Sequence, residues 1–197
     1  MELMWGSLDS LLDLVGPLEE KVTRGIFKKV VKAVEHCHKE GFIHHDLKTS
    51  NILIDLDRKN LTKIKLSDFG MHRQVSERLY AGSDSNGTVS YCAPEVLKLG
   101  HSFNKGIDCW SLGIVLHELL FNNNPFKDRE SDYNTVKNII NEPLDLAASY
   151  YSATVSFECQ DLLDQLLQKK AGLRLSASEI LAHPWFHQPK ECGSDKN

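Results

Sequence analysis

No stretch of the sequence approaches the roughly 18 consecutive apolar residues that a membrane-spanning helix needs. The opening residues, Met1-Glu2-Leu3-Met4-Trp5-Gly6, lack the basic start and long apolar core of a signal peptide. Basic charge is not in excess. The 23 Lys and Arg stand against 27 Asp and Glu, a net charge of −4, which gives no reason to expect nucleic acid or an anionic membrane as partner. The 5 cysteines (Cys37, Cys92, Cys109, Cys159 and Cys192) are odd in number and contain no Cys-x-x-Cys pair, so neither a disulfide frame nor a zinc knuckle is indicated. Internal repeats and low-complexity segments are lacking as well. These absences point to a soluble intracellular chain, cytoplasmic or nuclear. What is present is ordinary for a globular protein: 41% hydrophobic and 25% charged residues over 197 positions, enough to bury a substantial core in one domain or two small ones.

The pattern along the chain is mainly helical. Residues 7–14 read as a short helix with Ser7 as N-cap, broken by Gly16-Pro17. Pro17 with Glu19-Glu20 opens a second helix, since proline suits a first turn and acids suit the positive end of the helix dipole. Val22, Ile26, Val30, Val31 and Val34 place one apolar stripe on it, ending near Gly41. Ile52-Leu53-Ile54 and Ile64-Lys65-Leu66 read as two strands of a small hairpin, with turn residues Asp57-Arg58-Lys59-Asn60 between them. Residues 70–94, rich in Ser, Gly and Asn, form a long loop, and long loops inside compact domains tend to be functional. Residues 107–121 are apolar on nearly all sides and predict a buried central helix. Further helices are predicted over 132–141, 157–168 and 177–182, with a frayed polar tail over 189–197.

Three clusters carry chemistry: His44-His45-Asp46-Leu47-Lys48-Thr49-Ser50-Asn51, then Asp68-Phe69-Gly70, then Gly87-Thr88-Val89-Ser90-Tyr91-Cys92-Ala93-Pro94-Glu95. Taken one at a time, Asp and Asn in such places can simply cap turns. In this order they resemble the eukaryotic protein-kinase family: a catalytic loop, the magnesium motif and a segment ending in Ala-Pro-Glu. Asp108-Cys109-Trp110-Ser111-Leu112-Gly113 resembles the family's central-helix signature, and Arg174 with Ser176 to Phe186 resembles its closing motif. The resemblance covers almost the whole chain.

The resemblance implies a fold and a site. The fold is mainly α, a protein-kinase-like C-terminal lobe with a small β-hairpin next to the catalytic loop. It would occupy residues 1–188, starting at the hinge, with 189–197 as flexible tail. Asp46 would accept the acceptor hydroxyl's proton, Lys48 would steady the transferring phosphate, and Asn51 with Asp68 would hold Mg2+. ATP would lie against Met1, Glu2, Met4, Ser7, Leu53 and Asp68, with Val115 and Leu119 beneath Leu53, and with His44 and Phe69 stacked in the regulatory column. Thr88 would shape the acceptor groove, and Lys48 together with Thr88 fits the serine/threonine branch. Glu95 and Arg174 would form a buried ion pair. The implied cofactors are ATP and Mg2+, and the implied partner is a protein substrate.

The sequence departs from the family in three ways. The 197 residues begin at what resembles the hinge, so they hold no Gly-rich phosphate loop, strand lysine or paired helix glutamate. These groups are expected from a small lobe or from a partner that replaces it. His45 stands where the family has an arginine that grips activation-loop phosphate; an imidazole lacks the guanidinium fork, which predicts indifference to phosphates at Ser76, Tyr80, Ser83, Ser85 or Ser90. Thr49 replaces a common proline, a change expected to be mild. Two other function classes remain open on the residues. One is a non-catalytic module that binds partners through its groove and the 132–141 helix. The other is a metal-dependent hydrolase built on His36, His38, His44 and His45.

Overall fold

The computed structural model describes residues 4–57, 60–68, 88–98, 104–144 and 154–187. The expectations for Met1, Glu2, Phe69, Ser76, Tyr80, Ser83, Ser85 and the 189–197 tail lie outside them. Two residues of strand, β1 (Gly6–Ser7), lead into helix α1 (Leu8–Val15). Ser7 caps it by accepting the Ser10 N–H, and Gly16 ends it at φ 74°, a value that suits a residue without Cβ.

Helix α2 (Glu20–Lys39) starts later than the sequence suggested. The Leu18 N–H donates to the Leu119 carbonyl at 2.8 Å, so Pro17 and Leu18 belong to the connection and Glu19 is the N-cap. The buried face is Thr23, Ile26, Phe27, Val30, Val31, Val34 and His38. Val22 is 49% exposed. Thr23 takes the buried place instead, its hydroxyl reaching the Leu18 carbonyl.

Strands β2 (Ile52–Asp57) and β3 (Asn60–Leu66) form the predicted hairpin, antiparallel with Ile52 opposite Leu66 and Ile54 opposite Ile64. β1 adds a third strand on the far side of β2, with Gly6 opposite Ile54 and Ser7 opposite Leu53. Two residues are too few to show a period, so this strand left no signal in the sequence.

The short helix α3 (Pro94–Leu97) precedes the central helix α4 (Gly106–Phe121), in which every residue but Gly106 and Glu118 is buried. Helices α5 (Asp132–Asn141), α6 (Phe157–Leu166) and α7 (Ala177–Ala182) surround it. The sequence extended α6 to Gln168, but the Gln168 carbonyl accepts from Arg174 Nε at 2.7 Å and the helix stops short. Gly113 lets α4 and the end of α6 touch: a Cβ there would meet Leu167 Cγ at 2.9 Å.

The main core joins α1, α2, β2, α4, α6, α7 and Trp185. A second cluster gathers Ala93, Val96, Ile107, Trp110, Ile114, Phe126, Ile139 and Leu167. Among the described residues, no helix is long and apolar enough to cross a membrane.

Candidate active site

The loop between α2 and β2 hangs from one carboxylate. Asp108, in the first turn of α4, is fully buried. Its Oδ2 accepts the His44 N–H at 2.9 Å and faces His38 Nε2 at 2.8 Å, and its Oδ1 accepts the His45 N–H at 2.9 Å. A buried carboxylate is stable only when so satisfied. The grip bends the chain enough that His45 adopts φ 70°, a left-handed value that is uncommon outside glycine.

His44 reads as the Nε2–H tautomer. Its Nε2 faces the Ser67 carbonyl at 2.9 Å, which can only accept, and its Nδ1 accepts the Asp46 N–H at 3.3 Å. His38 uses its ring on Asp108, and no group of three or more His, Cys, Asp or Glu among the described residues could hold a metal. The hydrolase alternative therefore has no site among them.

Asp46 follows at 8% exposure. Its Oδ2 lies 3.0 Å from Lys48 Nζ and accepts from Asn51 Nδ2 at 3.0 Å; the same Nδ2 lies 2.9 Å from the Asp46 carbonyl. Asn51 ends the 3-10 turn Thr49–Asn51. Its carbonyl accepts from the Ser67 N–H (2.9 Å) and Ser67 Oγ (3.1 Å), which ties the end of β3 to the loop. Asp68, the next residue, is exposed and sits at φ 60°. Two left-handed residues that are not glycine thus stand beside members of this network, His45 next to Asp46 and Asp68 next to Ser67, the kind of local strain that clusters at functional sites.

The other expected site residues divide. Leu53 is half-buried on β2 directly opposite Ser7, while the Ser7 hydroxyl caps α1. Met4 is half-buried just before β1, and Val115 and Leu119 are buried core. Thr88 opens the 3-10 turn Thr88–Tyr91, with its side chain outside the description. Ser90 is 4% exposed, so burial closes it as a phosphate acceptor in this conformation.

Glu95 and Arg174, 79 positions apart, make a two-pronged ion pair: Nη1 to Oε1 at 2.6 Å and Nη2 to Oε2 at 2.7 Å. The Arg174 side chain is completely buried and also donates to the Gly106 carbonyl.

Thr49 does more here than stand in for a proline in the chain: it is 1% exposed, and its hydroxyl lies 3.0 Å from Tyr91 Oη, 3.2 Å from Glu118 Oε2 and 3.3 Å from Asp9 Oδ1. Tyr91 also donates to Glu118. Burial holds the Glu118 carboxyl above its ordinary value, against the hydrogen bonds from Tyr91, Thr49 and Asn124 that pull it down. A cavity of about 300 Å³ opens here, lined by Lys48, Thr49, Ser50, Ser90, Tyr91 and Glu118 among others. Sequence reasoning missed Asp9, Tyr91 and Glu118 as a group. One signal was there: Glu118 is an acid in the mainly apolar second half of that helix. Burial, with the Asp46 charge, pushes the Cys92 thiol up to about 12, which disfavours the thiolate.

This geometry sets the Asp46 carboxylate beside the Lys48 ammonium and the Asn51 amide, and Lys48 also lines the polar cavity. Residues 1–186 match the protein kinase domain. The chain is 35% identical to testis-specific serine/threonine-protein kinase 2 of Mus musculus, over 96% of this chain and 52% of that protein. It is 34% identical to calcium-dependent protein kinase 19 of Arabidopsis thaliana, over 97% and 34%. Among solved structures, Rad53 1-466 in complex with AMP-PNP superposes with TM-score 0.77 at 29% identity, covering 94% of this chain and 46% of that one. The chain belongs to the protein kinase family, in its serine/threonine branch. It spans about half the length of the mouse relative, and less of the plant one. The reaction of this family uses ATP.

Proposed function

We propose that this chain carries the acceptor side of a serine/threonine kinase centre that moves the γ-phosphate of ATP to a protein hydroxyl. The observation that carries the reading is the Asp46 carboxylate held between Lys48 and Asn51 on a loop hung from Asp108. In-line phosphoryl transfer needs a placed hydroxyl and neutralised charge more than it needs covalent chemistry. Asp46 accepts the proton of that hydroxyl. Lys48, with Nζ 3.0 Å from Asp46 Oδ2, offers an ammonium to the transferring phosphate.

The residues fit a magnesium ion. With Nδ2 donating to Asp46, the atom Asn51 has to offer is Oδ1, and Asp68 offers a carboxylate on an exposed turn; both are hard oxygen donors. Mg2+ with ATP supplies the electrophilic phosphorus and screens its charge. Leu53 and Met4, with Met1, Glu2 and Ser7 nearby in the chain, form the nucleotide side, and Thr88 shapes the acceptor side. Residues 1–188 form the larger lobe. A small lobe, or a partner in its place, would complete the cleft.

The test uses the full-length protein. Asp46→Asn should cut phosphate transfer by about 100-fold or more and leave nucleotide affinity nearly intact, the range set by losing a general base. Asp68→Asn should also weaken metal-dependent nucleotide binding. Equal loss of ATP binding in both variants contradicts this division of roles.

A further inference from the structure

Thr49 joins four elements at one oxygen. Its Oγ1 lies within 3.3 Å of Asp9 on α1, Tyr91 on the turn Thr88–Tyr91, and Glu118 on α4, while its own backbone continues the loop that holds Asp46 and Lys48. A proline in this place sets φ but brings no hydroxyl.

Hydrogen counting shows what the hydroxyl does. The cluster has two carboxylates, exposed Asp9 and half-buried Glu118, two hydroxyl hydrogens, one on Thr49 and one on Tyr91, and the Asn124 amide, which donates to Glu118. Tyr91 donates to Glu118. The Thr49 hydrogen can then go to Tyr91 Oη, to Glu118 or to Asp9, and each choice binds the catalytic loop to a different neighbour. Without that hydrogen, Glu118 keeps Tyr91 and Asn124, exposed Asp9 keeps water, and what is lost is the buried bond that ties the loop to Tyr91 and Glu118; a buried partner left short there costs more than the bond itself gained.

We propose that Thr49 is a positioning residue, whose hydroxyl locks the loop bearing Asp46 and Lys48 to the turn Thr88–Tyr91 through Tyr91 and Glu118. What the lock aligns, an acceptor segment against Asp46, rests on the kinase reading. The lock itself does not.

The first measurement needs no activity. Amide hydrogen exchange reads both sides of the lock: the Asn51 amide, which donates to the Lys48 carbonyl, and the Cys92 amide, which donates to the Val89 carbonyl. Thr49→Val should speed exchange at both by about fivefold to tenfold, the size of one lost hydrogen bond with its partners left buried. Thr49→Ser should restore both, and Tyr91→Phe should loosen Asn51 as well. A change confined to Asn51, failure of serine to rescue, or an unmoved Asn51 in Tyr91→Phe overturns the lock.

The second measurement is steady-state kinetics on the full-length protein. Thr49→Val should raise KM for a peptide acceptor severalfold with KM for ATP unmoved. Exchange that rises while both constants stay fixed overturns the alignment role. A wild-type protein that transfers no phosphate overturns the kinase reading, and the exchange data still decide the lock.

Discussion

Replacing Arg174 with alanine tests the packing of the whole chain through one side chain. The guanidinium is completely buried and donates to both Glu95 oxygens at 2.6 and 2.7 Å, to the Gln168 carbonyl at 2.7 Å and to the Gly106 carbonyl at 3.0 Å. Its plane also lies over the Trp110 ring, 5.1 Å from the centroid. Truncation takes the guanidinium from Glu95 and a donor from three carbonyls, those of Gln168, Gly106 and Lys169. Breaking a buried pair from one side costs about 3–5 kcal/mol. Glu95 keeps 18% side-chain exposure, so water can solvate part of the abandoned charge, and the lower end of that range applies. A domain holds only about 5–15 kcal/mol in total. At a urea slope of about 2 kcal/mol/M, Arg174→Ala should lower the unfolding midpoint by about 1.5 M. Arg129 is exposed, and Arg129→Ala should shift stability by no more than about 0.5 kcal/mol. Arg174→Lys should fall between, since an ammonium cannot make the fork. Replacing both partners with apolar residues, Glu95→Leu with Arg174→Met, should recover part of the loss. The assay is urea unfolding followed by tryptophan fluorescence. Equal midpoints for Arg174→Ala and Arg129→Ala would refute the reasoning.

Two further outcomes concern titration. Burial drives the His117 imidazole down to about 4 from an ordinary 6.5, so the unfolded chain binds a proton there that the folded chain refuses. The resulting stability is present above pH 6.5 and is lost as pH falls toward 4, about 3 kcal/mol in all; His117→Gln should flatten that part of a urea-midpoint profile against pH. Burial raises the Cys109 thiol to about 12, so at pH 8 a thiol reagent should modify it slowly in the native chain and fast in urea; rapid native labelling of Cys109 would contradict its burial in α4.

How much was legible in the sequence depended on the distance along the chain over which each feature is built. Helices α2 and α4 were plain because periodicity over many residues survives local noise, and the Asp46, Lys48 and Asn51 cluster was plain because it spans six positions. His38 could have been placed: it continues the Val30, Val34 spacing and so belongs to the buried face, where Asp108 waits. The Glu95–Arg174 pair was reached only through resemblance, since no period links residues 79 apart. The Thr49 cluster gave least away. Its members come from four elements, and each is an ordinary polar residue in its own neighbourhood. Helix ends were misjudged where a distant hydrogen bond decides them, as the Leu119 carbonyl does for Pro17 and Leu18.

Asp108 takes hold of the loop by the main-chain N–H groups of His44 and His45, not by what position 45 carries beyond Cβ. An arginine and a histidine incur the same left-handed bend there and offer the same N–H. Such an anchor separates two properties that selection would otherwise have to change together. The placement of Asp46 can stay fixed while the side chain beside it is replaced. Because the anchor is made to main-chain N–H groups, His45→Arg should leave the Asp46–Asn51 hydrogen bond in place.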